Sequence, residues 1–324
     1  MKTIKIGLLG LGNIGTGTYK TLEMNRSEIE STLNAKVEIV KILERDTERD
    51  RGITVPKEKF TSDPDEIFQD PEIDIVIELL GGIEPATTFM LSALKNGKHV
   101  VTANKAALAA NYHELINTAK ENNVILRFEA SVGGGIPILG TLTGPLRANK
   151  FEEVMGILNG TTNYILTMMT KEGLDYETAL KDAQEQGFAE ADPTADVEGI
   201  DAANKLTILM ALMFDKYVAP KDIPTTGITE ITKEKIEEAR SNGCKIKLIA
   251  HAWRDENDEI KYEVRPMYIS ATHPLANINK EFYAVFVKGN AVDDVMFYGK
   301  GAGPLPTGSA VLGDVIDISM MILK

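Results

Sequence analysis

A chain of 324 residues with 43% hydrophobic and 26% charged residues has the composition of a soluble globular protein, neither disordered nor fibrous, and at roughly 150 residues per domain it predicts about two domains. Its 35 Lys and Arg against 48 Asp and Glu leave a net charge of -13, which repels a phosphate backbone and argues against nucleic-acid binding. The single cysteine, Cys244, excludes an intrachain disulfide and a multi-cysteine metal cluster, and it fits a reducing compartment, so the cytoplasm is the expected location. No apolar run reaches the roughly 18 residues of a membrane span, and Met1-Lys2-Thr3 leads into a short apolar run without a signal-peptide pattern, so no membrane association is expected.

In chain order, Thr3 to Leu9 reads as a short buried strand that ends in glycines, and a helical stretch follows to about Leu33. Val37 to Leu43, Ile73 to Leu79, His99 to Val101 and Val124 to Phe128 predict further buried strands, separated by helical segments such as Pro85 to Asn96 and Asn104 to Asn122. Strands alternating with helices imply a parallel sheet with right-handed crossovers. After Gly133-Gly134-Gly135, which alone would read as a hinge, the pattern changes. Helices are expected up to Phe214, then strands at Lys245 to Trp253, Ile260 to Ile269, Phe282 to Val287 and Val292 to Tyr298. A closing helix from Ser309 to Leu323 is expected to pack back onto the first domain. There are no internal repeats, so a solenoid is excluded.

Gly10-Leu11-Gly12-Asn13-Ile14-Gly15 matches GxGxxG directly after the first strand and before a helix, the context that gives the motif meaning. Such glycines allow a tight turn and let backbone N–H groups and the helix N-terminus approach a pyrophosphate; without a ligand the same residues are only a glycine-rich turn. The fold class is therefore read as α/β. A Rossmann-type parallel-sheet dinucleotide-binding domain comprises 1–135 with 301–324, and an α+β substrate domain comprises 136–300. At the end of the second strand, Glu44 offers an acceptor for a ribose 2'-hydroxyl and Arg45 a partner for a 2'-phosphate. NAD and NADP both remain open, and the pair also reads as a solvated charge cluster.

Thr102 and Lys105, in Val101-Thr102-Ala103-Asn104-Lys105, sit at the C-terminal end of a predicted strand, the edge where open α/β sheets bind ligands; a solvated lysine in the first helical turn is the plain alternative. Asp201 and Lys205 lie four residues apart and share a helix face, which on a surface would be a weak ion pair. Here the following residues, among them Leu206, Ile208, Leu209, Leu212 and Met213, make the helix apolar nearly all round, so it is expected to be buried. A charged pair at the mouth of a buried helix borders a pocket more readily than it sits in a sealed core. His99, His113, His251 and His273 lie on separate segments without metal-ligand spacing. Cys244 stands in no reactive motif, against a reaction that needs a cysteine nucleophile.

The chain resembles the homoserine dehydrogenase family over essentially its whole length. The resemblance rests on GLGNIG at 10–15, VTANKAAL at 101–108, FEASVGGGIPI at 128–138, ILNGTTNYIL at 157–166, GFAEADPTADVEGIDAANKL at 187–206 and GAGPLPTGSAV at 301–311. It implies reversible reduction of L-aspartate 4-semialdehyde to L-homoserine with NAD(P)H, on the route to threonine, methionine and isoleucine. It further implies that Lys205 is the proton donor, with Lys105 at the nicotinamide, and that Glu190 and Asp201 hold the substrate ammonium and the lysine. Asp196, Gly160 and Thr161 fall in the substrate site by the same resemblance. Asn13, Ile14, Gly187 and Gly303 match cofactor-contacting positions, alongside Gly10, Gly12 and Gly15. Glu129, Val132, Gly134 and Ile136 resemble a monovalent-cation site for Na+ or K+. The second domain would be catalytic and dimerising, so a homodimer or higher homo-oligomer is expected. With the sequence ending at Lys324, no C-terminal regulatory ACT domain is expected, nor threonine inhibition through one. The alternatives are another amino- or hydroxy-acid dehydrogenase, or a dinucleotide-sensing protein without catalysis; Lys205 and Asp201 speak against the latter.

Overall fold

The computed structural model describes residues 2–324 and divides into two compact units, one running to Gly135 and rejoined by Ala302–Lys324, the other Ile136–Gly301. The first unit is built on six strands: β1 (Thr3–Leu9), β2 (Lys36–Leu43), β3 (Phe60–Thr61), β4 (Ile75–Glu78), β5 (His99–Thr102) and β6 (Leu126–Arg127). They form one parallel sheet in the order β3-β2-β1-β4-β5-β6. Because β2 and β4 flank β1 on opposite sides, the strand order reverses there, and the C-terminal ends of β1 and β4 form the switch point at which such sheets bind ligands. These strands are apolar on both faces, as a sheet covered on both sides requires: Ile4, Ile6 and Leu8 of β1 and Ile75 and Ile77 of β4 are fully buried.

The expected α/β alternation is present, with local differences. The helical stretch to Leu33 is two helices, Asn13–Met24 and Arg26–Leu33, joined at Asn25. The closing helix begins at Pro304 and runs Pro304–Ile322; Pro fits the first turn of a helix, where its missing N–H has no intrahelical acceptor. At 19 residues this helix is long and apolar enough to cross a membrane by length and composition alone. It is instead a core helix, since Val311, Leu312, Val315 and Ile318 join the same buried cluster as Ile4, Ile6 and Leu22.

The second unit holds β7 (Phe151–Ile157), β8 (Cys244–Arg254), β9 (Ile260–Ser270), β10 (Phe282–Gly289) and β11 (Asp293–Lys300). They pair antiparallel in the order β11-β10-β7-β8-β9. Strand β7, the middle of this sheet, corrects the expectation of helices alone between Gly135 and Phe214. Its apolar run is only Val154 to Ile157, preceded by Glu152 and Glu153, and so short a run does not distinguish strand from helix by periodicity. Across the sheet Glu153 meets the His251 ring nitrogen Nε2 at 2.7 Å. One face carries Met155, Ile157, Ile249 and Phe286 over the segment Leu275–Ile278. The helices Gly160–Glu172 and Ile200–Met213 both pack on β8. The latter is buried almost throughout, including Asp201 and Lys205.

Candidate active site

In the first unit the glycine turn leaves β1 directly into the helix Asn13–Met24. Gly10 has φ +92, the left-handed region that favours glycine, and its N–H donates to Leu43 O at 3.0 Å. A Cβ on Gly12 would meet no atom within 4 Å, so the turn presents an open backbone face. The first helical turn, which includes Asn13 and Ile14, has N–H groups without intrahelical acceptors and no acidic side chain. An open backbone concavity at a helix N-terminus fits a pyrophosphate.

Beside it, Glu44, Arg45, Ser62, Leu80, Pro85 and Phe89 line a cleft of about 310 Å³. The Glu44 carboxylate is already engaged: Oε1 accepts from the N–H groups of Arg45 (2.8 Å) and Asp46 (3.2 Å), and Oε2 from Leu11 N–H (3.0 Å). The Arg51 guanidinium lies 3.4 Å from it and donates to Leu11 O at 2.8 Å. Glu44 thus ties the glycine turn to the segment after β2, and Arg45 remains the exposed cation at the cleft. Arg51 went unnoticed in the sequence because it sits in an unpatterned charged stretch.

At the end of β4 the buried Glu78 accepts from Thr102 Oγ1 (2.7 Å) and Leu80 N–H (2.8 Å). Burial raises its pKa against the opposing effect of these hydrogen bonds. Thr102 Oγ1 in turn accepts from Asn104 N–H at 2.9 Å. The Asn104 side chain caps the helix Lys105–Ala110, accepting from Ala107 N–H at 3.1 Å. This network sets the turn that carries the half-buried Lys105. Glu129 precedes the short helix Ala130–Gly133, which holds Val132, and Gly134 follows it with φ +58. The Glu129 N–H donates to Asp314, whose carboxyl burial pushes up to about 7. Gly303, with φ +113, precedes the closing helix.

The second unit gathers Lys205, Asp201, Asp196 and Thr161 around two residues the sequence did not single out, Asn159 and Tyr283. Lys205 is 5% and Asp201 7% exposed. The lysine donates to Asp201 Oδ2 and to Leu158 O at 2.6 Å each, and to Tyr283 Oη at 3.2 Å. Burial opposes its charge, but the adjoining carboxylate outweighs burial and holds the lysine above its ordinary pKa, so it is an ammonium at neutral pH. Burial likewise holds the Tyr283 phenol above its ordinary pKa despite the ammonium beside it, and it stays neutral.

Asn159 caps the helix Gly160–Glu172, its Oδ1 accepting from Thr162 N–H at 2.9 Å. Its Nδ2 donates to Asp196 Oδ1 (2.7 Å) and Asp201 Oδ2 (2.9 Å), so one amide aligns both carboxylates. Thr161 Oγ1 lies 3.0 Å from Asp196 Oδ2 and 2.7 Å from Phe188 O. Gly160 opens the same helix. Glu190 is exposed, with its backbone carbonyl accepting from Gln184 Nε2 at 3.1 Å, and Gly187 stands with φ +78 at the start of that loop. Neither belongs to the buried hydrogen-bonded cluster. Among the described residues no three His, Cys, Asp or Glu side chains are placed to hold a metal ion.

Residues 10–129 match the model for the NAD-binding domain of homoserine dehydrogenase, and residues 137–316 match the model for homoserine dehydrogenase itself. The chain belongs to the homoserine dehydrogenase family. It is 45% identical over 318 residues to the homoserine dehydrogenase of Bacillus subtilis (strain 168), covering 98% of this chain and 73% of that relative. The crystal structure of a homoserine dehydrogenase from Thiobacillus denitrificans superposes with a TM-score of 0.96 at 42% identity, covering 99% of this chain and 74% of that one. A hyperthermophilic archaeal homoserine dehydrogenase in complex with NADPH superposes with a TM-score of 0.83 at 25% identity, covering 98% of each chain. As a family member the protein is an NAD(P)-dependent oxidoreductase acting on a CH–OH group, with the glycine turn inside the matched NAD-binding region and Lys205 inside the other.

Proposed function

We propose that Lys205 is the general acid in the reversible reduction of L-aspartate 4-semialdehyde to L-homoserine. The observation that carries this reading is a buried ammonium kept charged by a carboxylate one helical turn away. A bound reduced nicotinamide supplies hydride to the aldehyde carbon, and the alkoxide left behind needs a stabilising charge and a proton. Lys205 provides both in the reducing direction and takes the proton back in the oxidising one. Asp201 keeps the lysine charged, while Asp196, Thr161 and Gly160 border the substrate and Glu190 offers an exposed carboxylate to its ammonium. Lys105, the first residue of the helix that follows β5, contributes a second positive charge toward the nicotinamide.

Gly10, Gly12, Asn13, Ile14 and Gly15 hold the pyrophosphate of NADPH or NADH, with Arg45 at the ribose end, Thr102 at the sheet edge, and Gly187 and Gly303 as further contacts. That an archaeal relative is solved in complex with NADPH supports a nicotinamide dinucleotide as the cofactor. Glu129 with the carbonyl oxygens of Val132, Gly134 and Ile136 would supply ligands to Na+ or K+. The enzyme works in the cytoplasm as a homodimer or larger homo-oligomer, supplying the branch to threonine, methionine and isoleucine. Lys205→Ala should lower kcat by roughly 10²–10⁴-fold with little change in NADPH affinity. Near-normal turnover in that variant, together with loss in Lys105→Ala, would move the acid role to Lys105.

A further inference from the structure

An ammonium has three N–H protons, and protein groups accept all three of those on Lys205: Leu158 O, Asp201 Oδ2 and Tyr283 Oη. A lysine so saturated delivers a proton to a substrate oxygen only by releasing a partner or through one that carries a proton of its own. Leu158 offers a backbone carbonyl and Asp201 is the counter-ion, both at 2.6 Å. Tyr283, at 3.2 Å, has the longest of the three bonds. It is also the one partner with a hydroxyl. That hydroxyl accepts from the lysine, and among the described residues no group accepts the phenol's own proton. The phenol is 4% exposed, and the bond it accepts from Lys205 leaves its own O–H proton available to a substrate oxygen.

The ring is held in a slot made for it. A Cβ at Gly301 would lie within 2.2 Å of three ring carbons, and one at Gly160 would lie 3.3 Å from Cε1. Both positions are glycine, so the phenol oxygen is set at a fixed place next to the lysine, at the start of the helix Gly160–Glu172 that carries Thr161.

We propose that Tyr283 is a further catalytic residue, passing the proton from Lys205 to the substrate oxygen. The proposal rests on the reading of Lys205 as the acid. Hydride addition at the aldehyde carbon moves the C=O π pair onto oxygen. That pair forms an O–H bond with the phenol proton as the phenol O–H bond breaks. In the same step the phenol oxygen takes a proton from Lys205, leaving a neutral amine beside Asp201 that water reprotonates after product leaves. In alcohol oxidation each transfer runs in reverse.

Tyr283→Phe keeps the ring and removes the relay, and it also frees one Lys205 N–H. The relay predicts a fall in kcat of about 10²-fold or more in both directions, with little change in Tm or NADPH affinity. It also predicts a solvent-deuterium proton inventory that is curved in the wild type, from two protons in flight. Turnover within about twofold of wild type would show direct donation by Lys205 and overturn the proposal. Replacing Tyr283 with 3,5-difluorotyrosine, which lowers the phenol pKa, should move the basic limb of the kcat profile toward acid; an unmoved limb also overturns it. If Lys205→Ala loses turnover and Tyr283→Phe does not, the relay fails and the lysine assignment stands. If Lys205→Ala retains turnover, the lysine assignment is what fails.

Discussion

Two lysines are buried in the second unit, and their pKa values are shifted in opposite directions. Lys205 lies at the start of its helix with three acceptors, one of them a carboxylate. Lys247, on β8 and 2% exposed, donates to Asn163 Oδ1 at 2.9 Å and to Ile278 O. Neither acceptor is charged. Burial pushes Lys247 down to about 7, and repulsion from Lys245 and Lys171 adds to it. A neutral amine has two N–H groups, which matches its two acceptors, whereas an ammonium has three, which matches those of Lys205. Burial alone therefore tends to make a lysine neutral. One carboxylate a helical turn away is enough to keep it charged, and with it the capacity to donate a proton at neutral pH.

The strongest way to break this contrast is Asp201→Asn, which leaves Lys205 buried without its counter-ion and so makes it a second Lys247. Its pKa should fall toward 7, and the protonated fraction drops tenfold for each pH unit above the pKa. The reductive kcat should then be about tenfold low at pH 8 and about 10²-fold low at pH 9, with partial recovery at pH 6. A pH profile of kcat superimposable on that of the wild type would show that another group holds the charge.

A smaller effect is expected from Asn159→Ala. The amide aligns Asp196 and Asp201 together, and its loss leaves the Asp201–Lys205 pair intact while removing one donor from each carboxylate. The substrate KM should rise about tenfold with the pH profile unmoved, which separates aligning the carboxylates from charging the lysine. A shifted profile would mean that Asn159 also controls the proton on Lys205.

The residues on each side of this contrast differ in how far the sequence exposed them. Asp201 and Lys205 are four residues apart on one helix, so their pairing follows from helical geometry alone. The parallel sheet was readable for a similar reason, since its strands are compact apolar runs and its glycine turn directly follows the first of them. Asn159 reaches Asp201 across 42 residues and Tyr283 reaches Lys205 across 78. Those meetings depend on how β7 and β10 pair in the antiparallel sheet. Strand β7 itself was hidden by Glu152 and Glu153, whose charges interrupt its apolar run. Glu44 shows the converse: its position at the end of β2 suggested a ribose acceptor, but three backbone N–H groups and Arg51 already occupy its carboxylate.

The mildest test leaves chemistry aside and asks whether Lys247 is neutral. In the unfolded chain its pKa is near 10.5 and in the fold about 7, so between these values the unfolded state binds more protons than the folded one. Stability should therefore rise as pH increases from 7 to 10 and level off above that. Lys247→Met removes the titration but also takes the donor from Asn163 Oδ1 and Ile278 O, at a cost of about 1–3 kcal/mol for each acceptor left unsatisfied. The level of Tm is thus a poor readout, and its slope is the useful one. The wild-type Tm should gain a few degrees over the variant between pH 7 and pH 9, measured by calorimetry at fixed ionic strength. The kcat profile should keep its shape, because Lys247 reaches the site only through Asn163, which donates to Lys280 O at 2.8 Å and Phe282 O at 3.1 Å just before Tyr283. Equal slopes in the two proteins would mean that Lys247 stays charged in the fold, and the contrast with Lys205 would then no longer rest on the carboxylate.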